Sequence, residues 1–211
     1  MKKYILIFIY SFLVRGFLKL IVGVKYEKPK FLKLEKQFII VANHNSHLDT
    51  MTILSSLPSK ILHKVKPVAA ADHFGKTKLK EKFSNYFLNT LLINRKRDKQ
   101  NLDNDPIFKM KKAIDEGYSL ILFPEGTRGE PEKLQPLKPG IAFLLKDRPH
   151  LKYVPAFMNG MGKAMPKDDN LIVPFNSNLI YGTPTEIHSL EIEDILKQIE
   201  ADFNKLKIKI S

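Results

Sequence analysis

Residues 105–128 read DPIFKMKKAIDEGYSLILFPEGTR. Asp105-Pro106 opens a helix, because proline is at home in a first helical turn. Ile107, Met110 and Ile114 then share one face, and Gly117 ends the helix. Tyr118 to Phe123 is an apolar run of strand length, and it delivers Pro124, Glu125, Gly126, Thr127 and Arg128 to an exposed turn. A helical pattern joined to a short apolar strand is the repeating signature of an α/β domain.

The same alternation extends in both directions. Phe38 to Ala42 reads as a buried strand, Leu48 to Leu57 as a helix stopped by Pro58, and Val65 to Ala71 as a second strand. Asp72 caps a further helix carrying Leu79, Phe83, Phe87 and Thr90 at four-residue spacing. Leu91 to Asn94 is a short strand, Gly140 to Lys146 a short helix, and Tyr153 to Met158 another strand. Asn159 to Asn170, with two glycines and a proline, reads as a loop. Leu171 to Tyr181 forms one long strand or two short ones, with Pro174 at an edge or break. Ser189 to Ile210 is an amphipathic helix, with Ile192, Ile195, Leu196, Ile199, Phe203 and Leu206 facing the core. The expected architecture is a mixed sheet flanked by helices.

The 211 residues fit one catalytic domain, and the lack of cysteine removes disulfides, thiolate metal sites and a cysteine nucleophile. A net charge of +13 favours anionic partners. Residues 1–36 hold nine basic side chains and two acidic ones, so +7 of the total lies there. Within this region Tyr4 to Val24 is apolar and, as a helix, about 30 Å long, enough to cross a bilayer core. Arg15 near its middle opposes crossing, and Ser11, Arg15 and Lys19 form a polar stripe at four-residue spacing. The expected arrangement is an interfacial helix over residues 1–24, apolar side down with its lysines on anionic phospholipid, followed by a basic linker over 25–36 and the catalytic domain over 37–211. A spanning helix and a buried core helix are the alternatives. A cleaved signal peptide lacks an Ala-x-Ala site, since no alanine precedes Ala42.

Two constellations carry chemistry. In Asn43-His44-Asn45-Ser46-His47-Leu48-Asp49, four residues separate His44 from Asp49; in one helix that step turns the chain by about 500°, well past a full turn, so the two would not share a face. A turn is needed, and Ser46 supplies it as the N-cap of a Ser46-x-x-Asp49 capping box. Asp49 then orients His44 as a general base. Downstream, Gly126 lets backbone amides approach an anion and Arg128 can grip two phosphate oxygens. Arg95 and Arg97, and Lys138 at a helix start, are further anion candidates or solvated charges. His44, His47 and Asp49 could alternatively ligate a metal, and either constellation alone could be an ordinary cap or loop.

Taken in order, these residues resemble the glycerophospholipid acyltransferase family, particularly its lysophosphatidic acid acyltransferase branch. Asn43 to Asp49 looks like the HxxxxD block, Leu91 to Arg95 like the second block, Phe123 to Arg128 like the FPEGTR block, and Tyr153 to Ala156 like the fourth. Thr90, Asn94 and Gly129 depart from the usual residues of those blocks. The resemblance implies a family-like α/β fold and an enzyme of phospholipid synthesis at the cytoplasmic face of a membrane. It implies that His44 deprotonates the sn-2 hydroxyl of a lysophospholipid, which attacks the thioester of acyl-CoA or acyl carrier protein, with Asp49 orienting the imidazole. No cofactor or metal is implied, and nucleic acid is not an expected partner. Arg95, Glu125, Gly126, Thr127 and Arg128 would organise the acceptor phosphate, and Pro155 would line the site. Another lysolipid or glycerol 3-phosphate as acceptor, a metal-dependent phosphoesterase, and a non-catalytic basic membrane module are the competing readings.

Overall fold

The structure is a computed structural model that describes residues 2–71, 89–98, 100–166 and 171–210. The helix expected after Asp72 falls on residues 72–88, outside the described residues. Seven strands form one sheet: β1 (Val24–Tyr26), β2 (Ile39–Ala42), β3 (Val65–Ala70), β4 (Leu91–Ile93), β5 (Ser119–Leu122), β6 (Tyr153–Asn159) and β7 (Ser177–Tyr181). Their order is β1-β7-β6-β2-β5-β3-β4. All neighbours are parallel except β6 and β7, so the sheet is mixed, as the alternating pattern predicts.

The helices are α1 (Lys2–Val22), α2 (Asp49–Ser56), α3 (Pro106–Asp115), α4 (Gly140–Lys146), α5 (Met161–Ala164) and α6 (Ile192–Ile210). They cover both faces, as expected of a largely parallel sheet whose strands need apolar cover on each side. On the central strand β2, Ile40 and Ala42 pack toward α1 and α2, while Ile39 and Val41 pack toward α3, α4 and α6. This follows from the two-residue alternation of a strand. The amphipathic face of α6 is buried through Ile195, Ile199, Phe203 and Leu206. Burying such a side chain stabilises the fold by about 1.5–3 kcal/mol each.

Helix α3 starts where its sequence indicates, and the Asp105 carboxylate accepts from Ile107 N and Phe108 N. Gly117 follows the helix at φ +90°, a left-handed conformation that glycine adopts without a Cβ clash.

Four expectations are corrected. The basic stretch 25–36 is not a linker: Lys25 and Tyr26 belong to β1, which pairs with β7, and Leu32 is fully buried. The segment 159–166 contains α5, which follows Gly160 at φ +84°. The strand expected over 171–181 begins only at Ser177.

The polar stripe of α1 also points the other way. Ser11 Oγ meets Ser59 Oγ at 2.9 Å, the Arg15 guanidinium donates to Ser55 O, and Lys19 lies over the Tyr26 ring. These groups dock the helix on the C-terminal end of α2, whose last carbonyls favour a cation. Tyr4, Phe8, Phe12, Leu13, Leu20 and Ile21 are left exposed. The helix is thus two-sided, with Leu6, Tyr10, Leu18 and Val22 buried in the protein and an apolar face turned outward.

Candidate active site

Strand β2 is buried along its whole length, so its C-terminal end marks the middle of the sheet edge, beside the end of β5. Asn43 extends β2 through its side chain. Its Oδ1 accepts from Met158 N at 2.7 Å and its Nδ2 donates to Met158 O at 2.9 Å, copying a ladder pair while the main chain turns away. His44 therefore leaves the sheet at a fixed point.

The His44–Asp49 contact exists as the spacing requires. His44 Nδ1 lies 2.8 Å from Asp49 Oδ2, and the same oxygen accepts from Asn45 N and Ser46 N at 2.8 Å. Two backbone N–H groups and the imidazole converge on one fully buried carboxylate oxygen. With Nδ1 as the donor, Nε2 is the nitrogen available to accept a proton. The His44 ring stacks on Phe123 at 4.1 Å between centroids and keeps a side chain that is 20% exposed.

The capping box forms in altered form. Ser46 Oγ accepts from Leu48 N and donates to Met165 O, while helix α2 itself begins at Asp49 with Leu48 in the cap position. The carboxylate closes the loop from the helix side, and the hydroxyl ties it to the segment after α5.

The second constellation meets the first through Glu125. Glu125 is buried, with Oε1 accepting from His44 N at 2.7 Å and Oε2 from Gln135 N at 3.0 Å. Both oxygens are committed to clamping the His44 loop against the turn. Burial pushes its carboxyl above the ordinary value against the pull of those two N–H donors. Gly129 N donates to His44 O at 2.9 Å, and Asn45 Nδ2 to the carbonyls of Glu130 and Lys133, completing the junction.

Cations gather on the same turn. Arg95 Nη1 donates to Gly126 O at 3.0 Å. Gly126 has φ +73°, and a Cβ there would stand 2.7 Å from Lys138 Nζ, so glycine makes room for the lysine. The Arg128 guanidinium meets the His47 ring, and Thr127 stays exposed at the turn. Arg95, Arg128 and Lys138 thus surround residues 125–128, beside His44. Lys138 was readable as a basic residue before a helix; its closeness to Gly126 was not.

Three candidates lie elsewhere or act differently. Arg97 pairs with the Asp105 cap at 2.5 Å, and serves α3. Pro155 sits inside β6 opposite Val41, buried, with its ring against Gly182, so sheet packing accounts for it. The metal reading required His44, His47 and Asp49 to converge, but His47 is turned to Arg128, and the described residues contain no group of three or more His, Asp or Glu side chains placed to share an ion.

Comparison with known proteins fits this geometry. The chain is similar to the 1-acyl-sn-glycerophosphate (LPA) acyltransferase PlsC from Thermotoga maritima, at a TM-score of 0.78 and 21% identity, over 100% of this chain and 82% of that one. At that identity the likeness shows the fold. Comparison with curated proteins gave no match. A model of the Acyltransferase family matches residues 23–176, which span both constellations and well over half the chain, and the chain therefore belongs to the acyltransferase family.

Proposed function

We propose that the chain acylates the sn-2 hydroxyl of lysophosphatidic acid, taking the acyl group from the thioester of coenzyme A or acyl carrier protein and yielding phosphatidic acid. The observation that carries the reading is the His44–Asp49 pair set beside a turn ringed by Arg95, Arg128 and Lys138. A base for a hydroxyl and a cationic cup for a phosphate are what such an acceptor needs.

In this mechanism Nε2 of His44 takes the acceptor hydroxyl proton as the oxygen bonds to the thioester carbonyl carbon. The buried Asp49 carboxylate stabilises the imidazolium that forms. Collapse of the tetrahedral intermediate breaks the carbon–sulfur bond, and the departing thiolate receives the proton from His44. No acyl-enzyme is needed. Arg95, Arg128 and Lys138 hold the acceptor phosphate, Gly126 and Thr127 shape the turn, and Glu125 keeps the turn and the base in register.

The outward face of α1 supports membrane association, since the acceptor and product are lipids. The helix lies with Phe8, Phe12 and Leu20 in one leaflet and its polar stripe on the protein, so it need not cross. In this reading the Lys28, Lys30 and Lys33 cluster meets anionic phospholipid; burial and neighbouring cations lower the Lys28 ammonium below its ordinary value. The placement on the cytoplasmic face belongs to the same proposal.

An acceptor panel tests the function. Purified protein is given lysophosphatidic acid, glycerol 3-phosphate or lysophosphatidylcholine, each with acyl-CoA or acyl carrier protein thioester. Preferred turnover of lysophosphatidic acid supports the reading. Equal turnover of lysophosphatidylcholine, which lacks a terminal phosphate, contradicts it.

A further inference from the structure

A second basic cavity lies at the far end of the sheet. It encloses about 430 Å³ and brings together Lys2 of α1, Lys66 of β3, and Lys109 and Lys112 of α3, with Asn89 and Thr90 at the start of β4. Its volume is within the roughly 300–1,000 Å³ usual for small-ligand sites. Lys66 pairs in register with Leu120 of β5, five residues before Glu125, so at about 3.3 Å per residue the cavity is roughly 16 Å from the catalytic turn. The loops carrying His44 and Arg128 leave the opposite ends of these strands.

Its polar groups are held in place. Asn89, at φ +52°, accepts from Lys2 Nζ at 2.9 Å through Oδ1 and donates through Nδ2 to Val65 O at 3.1 Å. This fixes the start of α1 against the sheet. Lys66 Nζ lies 4.0 Å from the centroid of the Tyr118 ring. Thr90 is buried, and its hydroxyl oxygen has no hydrogen-bond partner among the described residues. Such a group has a cost unless something completes it.

Among the described residues, only Glu116 opposes the four lysines on the cavity wall. Gathering ammonium groups in a partly desolvated recess is unfavourable without a counter-anion. Burial and the nearby Lys66 charge hold the Lys2 ammonium below its ordinary value, and burial does the same to Lys66.

We propose that this cavity binds a phosphate group, with Lys2, Lys66, Lys109 and Lys112 neutralising its charge and Thr90 donating its hydroxyl. The site is separate from the acceptor site and does not depend on the catalytic reading. Because Lys2 belongs to α1, an occupied site ties the outward-facing helix to β3 and α3. A phospholipid headgroup or a free phosphate can supply the same chemistry.

The experiment uses the full chain carrying Arg128→Ala, which weakens anion binding at the catalytic turn. Inorganic pyrophosphate is titrated in by calorimetry. In parallel, binding is measured to phosphatidylcholine vesicles with and without phosphatidic acid. Lys109→Gln with Lys112→Gln is the main test because neither side chain belongs to the buried core, Lys109 being half-buried and Lys112 exposed; Lys66→Gln is the second variant, with folding checked by circular dichroism. Pyrophosphate binding that persists in Arg128→Ala and falls about tenfold or more in the lysine variants supports a soluble source. A preference for phosphatidic acid vesicles that falls with the same lysines, without pyrophosphate binding, supports a headgroup source. Folded lysine variants that match their parent in both arms overturn the proposal, as does pyrophosphate binding abolished by Arg128→Ala alone with vesicle preference insensitive to the lysines.

Discussion

Asp49→Asn separates the charge of the dyad from its geometry. Asp49 Oδ2 accepts three hydrogen bonds at 2.8 Å, from His44 Nδ1, Asn45 N and Ser46 N. The amide oxygen of asparagine can take the same place, so the loop retains its shape. Charge-assisted bonds exceed neutral ones by about 1 kcal/mol each, so three of them set an upper limit near 3 kcal/mol on the stability lost. Relief from burying an ion offsets part of that, and the expected loss is about 1–2 kcal/mol.

Chemistry should suffer more. Replacing an orienting carboxylate by an amide in a comparable base–carboxylate pair costs about 10³- to 10⁴-fold in kcat, equivalent to about 4–5.5 kcal/mol of barrier. Steady-state acyl transfer to lysophosphatidic acid at saturating substrate measures kcat, and thermal unfolding measures stability. A folded variant with kcat within about threefold of the parent would refute the reasoning, because the charge would then contribute under about 1 kcal/mol to the barrier.

Gly126→Ala should raise KM for the acceptor about tenfold, with a smaller change in kcat, because its Cβ displaces Lys138 Nζ and the left-handed backbone costs about 1–2 kcal/mol; an unchanged KM would show that the turn does not hold the phosphate. Asp105→Ala removes the α3 cap and the Arg97 pair and should cost about 1–3 kcal/mol in chemical unfolding. Burial opposes ionisation of Asp105, yet Arg97 and two backbone N–H groups hold its carboxyl below the ordinary value. Its ionised form therefore adds stability above its unfolded pKa of about 3.9, and that stability is lost as pH falls through the depressed folded value. The variant should show a shallower loss of stability below pH 4 than the parent. Phe12→Ser with Leu20→Ser removes two exposed apolar side chains from α1; at about 1–2 kcal/mol each, vesicle partitioning should fall roughly 30- to 1,000-fold. Turnover of a short-chain, water-soluble acceptor should persist, and unchanged flotation with vesicles would reject α1 as the membrane-facing element.

Features set by neighbours in the chain were legible in the sequence. The α3 start depends on Asp105 and Pro106, and the His44–Asp49 contact depends on a single tight loop, so spacing alone exposed both. Features set by distant partners were not. Three residues of β1 become a strand only because β7, about 150 positions later, offers them a parallel edge. The Ser11–Arg15–Lys19 stripe looks lipid-directed until Ser55, Ser59 and Tyr26 are placed beneath it.

Glu125 shows the same limit at the site. In an exposed turn a carboxylate suggests solvent or substrate, whereas here it accepts N–H groups from two segments. Pro155 entered through resemblance, and its place in β6 opposite Val41 explains the residue by sheet packing. The FPEGTR turn and the HxxxxD loop were each weak as isolated strings. Their meeting at the ends of β5 and β2 is what makes them one site.

The central claim is that His44 is the base for acyl transfer. It is tested most directly by His44→Ala in a pre-steady-state and steady-state assay of thiol release with lysophosphatidic acid and acyl thioester, with folding verified by thermal unfolding. The account predicts that kcat falls about 10²- to 10⁴-fold, with acceptor binding little changed because the cationic turn is intact. A folded His44→Ala protein that turns over lysophosphatidic acid at the parent rate would contradict it.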